Sequence, residues 1–375
     1  MSNTDITIDV AIIGGGIAGC WLLHTLRQRG YSAFLFEKNA LGAGQTVCSQ
    51  GIIHGGMKYA LTGKLTQASQ AIADMPTVWR DCLSGDGEID LRAAKILSEH
   101  QYLFSSGQIG GTLMSFLASK ALKSRVKKLS AESYPELFKH DEFKGAVYQL
   151  NEPVVNVPAV LQCFLDQYRD AIFQGDYSSL NIQAKRIIFT AGEHNEDFLT
   201  QYHLAQPKMQ RRPLHMVYIC AKQLPPAFAH CMQLSDKPRL TITTHRSQDG
   251  MVWYIGGDIA ETGVHRKQEE QIAFAKKELQ QCFPWLDLSE ARWGSFFIDR
   301  AEMQQAKGSR PDQPCFYEHD NMVFAWPTKL AFAPVLAKRI VEECFEALSP
   351  DQAQGLEKLN ALPKPEVASP IWSVS

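Results

Sequence analysis

The chain begins with a short apolar stretch that runs directly into a glycine-rich turn. Ile6–Ile13 is apolar and rich in β-branched residues, which is typical of a buried strand. The next six residues, 14–19 (GGGIAG), match the pattern Gly-x-Gly-x-x-Gly. Over residues 18–29 the apolar side chains recur at helical spacing, and Gly30 follows as a stop signal. This order predicts a strand, a tight turn and a helix at the start of a parallel sheet.

Three glycines of the turn have steric tasks in binding a pyrophosphate. Gly14 permits the tight turn, Gly16 lets the backbone approach the phosphates, and Gly19 lets the helix pack closely on the strand. The first helical residues, Ile17 and Ala18, bring free N–H groups and the positive end of the helix dipole to the anion. The turn therefore predicts a dinucleotide site.

Two further features indicate which dinucleotide binds. A second strand over residues 32–36 ends at Glu37, whose carboxylate can accept hydrogen bonds from ribose hydroxyls; this favours FAD or NAD over NADP. Residues 41–59 are then rich in glycine and small polar residues, where an NAD dehydrogenase would continue with another helix and strand. Such a loop suits a cofactor that extends across the domain. We therefore expect FAD, with a flavin-free NAD dehydrogenase as an alternative.

Four segments beyond the turn carry a family resemblance. Residues 49–59 (SQGIIHGGMKY) are similar to a Ser-x-x-x-x-His-Gly-Gly-x-Arg-Tyr motif, with Lys58 in place of Arg. Residues 184–192, 252–257 and 321–340 resemble a strand ending in Ala-Gly under an adenosine, a strand carrying an aromatic residue over the substrate, and a strand–loop–helix against a flavin. Together they resemble the D-amino-acid oxidase superfamily of FAD-dependent oxidoreductases. The first motif is that of FAD-dependent glycerol-3-phosphate dehydrogenases and related 2-hydroxyacid oxidoreductases.

The resemblance implies an α/β fold with two domains. One is a Rossmann-like FAD-binding domain with a central parallel sheet, and the other is an α+β domain built on an antiparallel sheet that roofs the flavin. We place the discontinuous FAD-binding domain at residues 1–82, 143–206 and 301–375, and the substrate domain at residues 83–142 and 207–300. Outside the first unit, we predict strands over residues 93–104, 211–221, 240–244, 251–255 and 291–298, and helices over residues 111–123, 157–169, 267–282 and 334–347.

Four residues are candidates for the chemistry. The resemblance implies that His54 accepts a substrate proton, that Lys58 and Arg300 bind an anionic substrate group, and that Tyr254 forms a wall of the substrate site. A structural alternative stays open for each. His54 can be a hydrogen-bonded histidine that holds its loop, and Tyr254 can be a core residue. Lys58 and Arg300 can each form an ion pair with a neighbouring carboxylate.

The candidate cofactor-binding residues lie in the turn, in the glycine-rich loop and before the C-terminal helix. A cation or helix N-terminus at this last place would favour the negative charge that develops on a reduced flavin near N1 and O2. The predicted set is Gly14, Gly16, Ile17, Ala18, Gly19, Glu37, Lys38, Gln45, Thr46, Ser49, Gln50, Gly51, Ile52, Gly192, Thr328, Lys329 and Leu330.

Composition excludes several classes of protein. Lys and Arg total 38 and Asp and Glu total 40 among 375 residues, a net charge of −2 that gives no electrostatic case for nucleic acid. The nine cysteines show no CxxC pair and no metal-like spacing, so we predict no metal site and a reducing, cytoplasmic location. No apolar run approaches the roughly 20 residues of a membrane span, and the polar first residues do not resemble a targeting signal.

The sequence thus predicts an FAD-dependent oxidoreductase. We expect it to oxidise a small carboxylate-bearing amine or 2-hydroxyacid by hydride transfer to flavin N5, and to pass electrons to O2 or a quinone-type acceptor. The alternative is an FAD-binding module with weak or no catalysis of its own that acts within a larger complex.

Overall fold

The computed structural model describes residues 6–56, 67–105, 126–232 and 237–373. Its helices are α1 (Ile17–Gln28), α2 (Gln67–Ser84), α3 (Val157–Gln167), α4 (Asn195–Gln201), α5 (Asp258–Thr262), α6 (Gln268–Cys282) and α7 (Ala333–Cys344). Its strands are β1 (Ile6–Ile13), β2 (Ala33–Glu37), β3 (Ile96–Ser98), β4 (Gln101–Phe104), β5 (Val126–Lys128), β6 (Val147–Leu150), β7 (Val154–Val155), β8 (Ile172–Gln174), β9 (Ile182–Phe189), β10 (Met209–Ala221), β11 (Ala229–Cys231), β12 (Leu240–Ser247), β13 (Gly250–Gly256), β14 (Arg292–Met303), β15 (Cys315–His319) and β16 (Met322–Trp326).

The first sheet is built around the N-terminal strand. Its order is β15-β16-β9-β1-β2-β8, and all neighbours pair parallel except β15 and β16, which are antiparallel. In β1 every side chain except that of Thr7 is buried. A continuous apolar strand of this kind fits a parallel sheet that is covered on both faces. Helix α1 connects β1 to β2 and packs against α7, so the two ends of the chain share one core.

The second sheet is mainly antiparallel. Its order is β14-β10-β13-β12-β11-β4-β6-β5, and the one parallel pair within it is β11 with β4. The long strands β10 and β14 pair from Met209↔Met303 to Cys220↔Arg292, and helix α6 packs against both. The two sheets confirm the predicted α/β class, since the first is mainly parallel and the second is mainly antiparallel.

Most predicted elements within the described residues are present, with ends shifted by a few residues. The strand predicted over residues 93–104 is wrong, because the chain there forms two strands in different sheets. β3 pairs with β7 in a separate two-stranded sheet, and β4 belongs to the second sheet. Between them the Ser98 hydroxyl donates to His100 O at 2.6 Å, which favours a turn over a continuous strand. The helix predicted over residues 111–123 lies outside the described residues.

The division into two domains stays a prediction, and one of its boundaries needs correction. The predicted FAD-binding segment that begins at residue 143 includes β6, yet β6 pairs with β4 and β5 in the second sheet. A boundary drawn by sheet membership therefore falls after Leu150. Within the described ranges, no helix combines the length and the apolar character that crossing a bilayer requires.

Two buried histidines make the folded state sensitive to acid. His24 in α1 shares a hydrogen bond between Nδ1 and the Tyr168 hydroxyl at 2.7 Å, and burial lowers its pKa from 6.5 to about 4. Burial and the nearby His54 likewise lower the pKa of His230 in β11 to about 4. Since the unfolded chain takes up these protons near 6.5, the stability they contribute is complete above that pH and is lost as the pH falls towards 4.

We therefore expect His24→Gln to flatten the pH dependence of stability. At pH 5 each of these two histidines, His24 and His230, costs the folded state about 2 kcal/mol. Between pH 7 and pH 5 the fall in the free energy of unfolding should thus be about 2 kcal/mol smaller in the variant than in the parent. Urea denaturation at pH 7 and pH 5 measures the free energy of unfolding of each protein. The control is His140→Gln, since His140 is exposed. The prediction is contradicted if the free energy of unfolding falls by the same amount between pH 7 and pH 5 in the parent, in His24→Gln and in His140→Gln.

Candidate active site

The glycine turn lies where the carboxyl ends of β1, β2 and β9 meet. The N–H of Gly15 donates to the Glu37 carboxylate at 2.7 Å, and the Thr190 hydroxyl donates to the carbonyl oxygen of Gly14 at 2.9 Å. Gly14 has φ +109°, and a Cβ there would lie 2.8 Å from the Thr190 backbone. A Cβ at Gly19 would lie 2.1 Å from the carbonyl oxygen of Gly14. Only glycine fits at these two positions, and this leaves a side-chain-free cradle.

The glycine-rich loop folds back onto this cradle. The hydroxyl of Thr46 accepts a hydrogen bond from the N–H of Ile17 at 3.1 Å, so the loop satisfies the first turn of α1. Gly192, with φ +62°, faces Gln45 from the end of β9, since a Cβ there would lie 3.8 Å from the Gln45 amide nitrogen. The turn, the loop and the Ala-Gly end of β9 therefore form one continuous groove.

A cavity of about 380 Å³ opens from this groove towards the second sheet. It has the size of a small-molecule site. Twelve of the predicted site residues line it: Ile17, Gln45, Thr46, Ser49, Gln50, Gly51, Ile52, His54, Arg300, Thr328, Lys329 and Leu330.

Two hydroxyl groups in the cavity wall are available to form hydrogen bonds with a polar ligand. Ser49 Oγ and Thr328 Oγ1 are buried, and neither has a hydrogen-bond partner among the described residues. Thr328 also has φ +60°, a left-handed conformation that is uncommon for a β-branched residue. Buried polar groups in native proteins are normally hydrogen-bonded. Together with the glycine cradle, these two hydroxyls fit a bound dinucleotide that extends from the turn into the cavity.

Other predicted residues do not line the cavity. Six of them belong to the groove beside the cavity or pack around that groove: Gly14, Gly16, Ala18, Gly19, Glu37 and Gly192. Lys38 is exposed, and Lys58 lies outside the described residues.

The catalytic role predicted for Tyr254 needs correction. Its side chain is fully buried, and its hydroxyl donates to the carbonyl oxygen of Cys48 at 2.6 Å. Gln50 has a similar part, because its amide nitrogen donates to the carbonyl oxygens of Thr241 and Tyr254. Both side chains hold the glycine-rich loop against the second sheet.

His54 forms a pair with a buried carboxylate that no motif in the sequence indicates. His54 Nδ1 lies 3.2 Å from Glu152 Oε2, and Glu152 Oε1 accepts from the N–H of Gly55 at 2.7 Å. Burial alone would raise the pKa of Glu152, but these hydrogen bonds and the charge of His54 bring it below its ordinary value. Glu152 is therefore an ionised carboxylate inside the protein.

His230 completes this cluster. Its ring stacks against that of His54 with 6.2 Å between centroids, and its Nδ1 lies 2.8 Å from the Thr241 hydroxyl. The nitrogen and oxygen donor atoms of His54, Glu152 and His230 lie within 4.8 Å of one another, a set that could also hold a metal ion. The sequence predicts no metal site and carries no signal for this cluster, because the three residues are far apart in the chain.

Arg300 carries the positive charge at another part of the cavity. It donates to Glu261 Oε1 at 3.3 Å and to the carbonyl oxygen of Arg212 at 3.4 Å. Burial and the Arg212 charge lower its pKa, and Glu261 opposes them; a guanidinium nevertheless stays protonated at neutral pH. The described lining also includes the cations Lys237, Arg310 and Lys329 and the carboxylates Asp258 and Glu261. The cavity can therefore hold an anionic group.

Known proteins share this architecture. The family model described as FAD dependent oxidoreductase (DAO) matches residues 9–342. The probable FAD-dependent oxidoreductase PA4991 of Pseudomonas aeruginosa is 45% identical over 99% of this chain and 98% of its own length. Its crystal structure superposes with a TM-score of 0.86 over 100% of this chain and 99% of that chain, at 40% identity in the superposition.

More distant proteins share either the fold or a short segment of sequence. Glycine oxidase from Geobacillus kaustophilus superposes with a TM-score of 0.64 at 13% identity, over 90% of this chain and 94% of that chain. A glycerol-3-phosphate dehydrogenase of Pseudomonas tolaasii is 38% identical, but only over 18% of this chain and 13% of its own length. The family match and the full-length relative agree with the cradle and the unpartnered hydroxyls, and they confirm FAD as the cofactor. The chain belongs to the DAO family of FAD-dependent oxidoreductases.

Proposed function

We propose that the protein oxidises a small carboxylate-bearing amine or 2-hydroxyacid. One observation carries this proposal: His54, paired with a buried carboxylate, and Arg300 line the same cavity as Ile17 and Thr328 of the dinucleotide groove. A proton acceptor and an anion anchor thus share one space with the cofactor-binding residues. These groups suit the oxidation of a 2-amino or 2-hydroxy acid, which has a carboxylate for the anchor and an N–H or O–H proton for the acceptor.

Each residue has a distinct task in this proposal. The Arg300 guanidinium binds the substrate carboxylate with two parallel hydrogen bonds. His54 accepts the proton from the substrate N–H or O–H group. When bound, FAD supplies the oxidation by accepting a hydride equivalent from the substrate C–H bond at N5. Tyr254 and Gln50 hold the glycine-rich loop in place, and residues of this loop form part of the cavity wall. A second anchor at Lys58 stays a prediction.

Anaerobic reduction of the bound flavin tests this function. Amino acids, 2-hydroxyacids and glycerol 3-phosphate are added singly to the purified holoprotein, and loss of the oxidised flavin absorbance is followed. Bleaching by one member of the first two classes supports the proposal, and bleaching by glycerol 3-phosphate alone would overturn it. If no compound bleaches the flavin, the FAD-binding module without catalysis of its own is the better description. Admitting air or a quinone analogue to reduced protein then distinguishes the two proposed electron acceptors.

Replacing Arg300, the proposed anion anchor, is expected to weaken substrate binding. In Arg300→Gln the glutamine NH2 group can replace one of the two hydrogen bonds to the substrate carboxylate, and the one charge-assisted hydrogen bond that is lost is worth about 1.5–3 kcal/mol. We expect the substrate concentration at half-maximal flavin reduction to rise about 10- to 150-fold. The limiting reduction rate should change far less, because the glutamine does not alter the proton acceptor. Stopped-flow absorbance under anaerobic conditions measures both.

A matched control comes from the same strand. Arg292 lies on β14 with an exposed side chain and does not line the cavity, so Arg292→Gln should behave as the parent protein. If Arg300→Gln binds the substrate as tightly as Arg292→Gln does, the anion anchor lies elsewhere.

A further inference from the structure

Glu152 reaches the cavity from the second sheet. It follows β6, is 5% exposed, and accepts from the N–H of Gly55 with one carboxylate oxygen while the other faces His54 Nδ1. An ionised carboxylate can only accept hydrogen bonds. The ring nitrogen that faces it must therefore carry the proton. In a neutral imidazole this leaves Nε2 as the unprotonated nitrogen.

Glu152 has no lysine or arginine among its hydrogen-bond partners within the described ranges. A buried carboxylate without a cation is costly, and a positive charge that arises beside it is stabilised. Proton uptake by His54 creates such a charge at a distance of 3.2 Å. The His230 ring lies beside the same ring, with 6.2 Å between the centroids. The hydrogen bond to Glu152 therefore orients His54, and the Glu152 carboxylate compensates the charge of the imidazolium.

We propose that Glu152 is a positioning residue that holds His54 in the Nδ1-protonated tautomer, so that Nε2 is the proton acceptor of the reaction. The catalytic part of this inference rests on the proposed function. In the reaction, the substrate N–H or O–H proton moves to His54 Nε2 as the C–H bond gives up its hydride equivalent to the cofactor. The imidazolium keeps its Nδ1–H on the Glu152 carboxylate, and the pair becomes neutral overall.

The tautomer can be measured without any substrate. In protein labelled with ¹⁵N-histidine, ¹H–¹⁵N correlation spectra above neutral pH distinguish Nδ1-protonated from Nε2-protonated rings, and loss of a signal in His54→Asn assigns His54. We expect Nδ1–H in the parent protein. An Nε2–H signal there overturns the inference, whatever the outcome of the substrate panel. This measurement needs no Glu152 variant to fold.

Glu152→Gln should reverse the tautomer. The glutamine amide oxygen can still accept from the N–H of Gly55, while its NH2 group donates to His54 Nδ1 and moves the ring proton to Nε2. The matched control is Glu302→Gln, which removes another buried carboxylate, here paired with Arg212 outside the cavity. An unchanged His54 tautomer in Glu152→Gln would overturn the inference.

The kinetic consequence is a fall in the limiting rate of flavin reduction of about 10²- to 10⁴-fold in Glu152→Gln, as expected when a general base is held in the wrong tautomer. The concentration for half-maximal reduction should stay within a few-fold, since Arg300 is intact. With an amine substrate the deficit should shrink at high pH, where solvent delivers the amine unprotonated.

The outcomes separate the two proposals. If no compound bleaches the flavin of the parent protein, the proposed function fails. The tautomer of His54 is still tested, because its measurement uses no substrate. If the parent is bleached and Glu152→Gln reacts at the same rate, the positioning role fails. If EDTA abolishes reduction in the parent and Zn²⁺ or Mn²⁺ restores it, the cluster is a metal site and the inference is overturned.

Discussion

Replacing Gly19 by alanine is expected to remove most of the bound flavin, with FAD affinity lowered about 10- to 100-fold. The added methyl group would meet the carbonyl oxygen of Gly14 at 2.1 Å and the Thr190 hydroxyl at 2.7 Å. The nearer of these atoms belongs to the backbone and cannot rotate away. Helix α1 must therefore move off β1, and its N-terminus moves away from the phosphates it binds. The ratio of flavin to protein absorbance after purification, and titration with FAD, measure the effect.

Gly44 provides the matched control for this substitution. It lies in the glycine-rich loop, and a Cβ there would have no atom within 4 Å. Gly44→Ala should therefore retain its flavin. Circular dichroism shows whether Gly19→Ala keeps its secondary structure, so that a loss of cofactor can be told from a loss of fold. If Gly19→Ala binds FAD as tightly as Gly44→Ala does, the close packing of helix and strand is not what the cofactor requires.

The dinucleotide half of the site was predictable because its signals are local. The glycine turn, the helix after it and Glu37 lie within residues 14–37, and each follows from a steric or hydrogen-bonding requirement that neighbours in sequence express. Gly14 and Gly19 have the crowded surroundings that the pattern demands. Short-range physics therefore determines this part of the fold, and a single sequence is enough to find it.

The catalytic half of the site depends on the order of the strands in the second sheet, and the spacing of apolar residues in the sequence does not reveal that order. Glu152 and His230 lie 98 and 176 residues after His54, on strands or loops of the second sheet that meet only because β11, β4 and β6 are neighbours. Neither residue stands in a motif. The error for Tyr254 has a related cause. Trp253 and Tyr254 point to opposite faces of β13, yet both are fully buried, so alternation could not reveal which face adjoins the cavity.

Replacement of His54 by asparagine tests the proton acceptor itself. The asparagine NH2 group can still donate to the Glu152 carboxylate, so the buried charge keeps a partner, but the side chain offers no basic nitrogen to the substrate. We expect the limiting rate of flavin reduction to fall about 10²- to 10⁴-fold, with flavin content unchanged and substrate affinity within a few-fold of the parent. His140→Asn, an exposed histidine outside the cavity, is the control.

The double variant His54→Asn with Glu152→Gln gives the sharpest version of this test. If Glu152 acts only through His54, its replacement has nothing left to affect once His54 is gone. The double variant should then reduce no more slowly than His54→Asn alone, and the two losses should be far from additive. Additive losses would mean that Glu152 contacts the substrate independently. A parental rate in His54→Asn would instead identify the histidine as a residue that only holds its loop, and the proton acceptor would have to be sought elsewhere in the cavity.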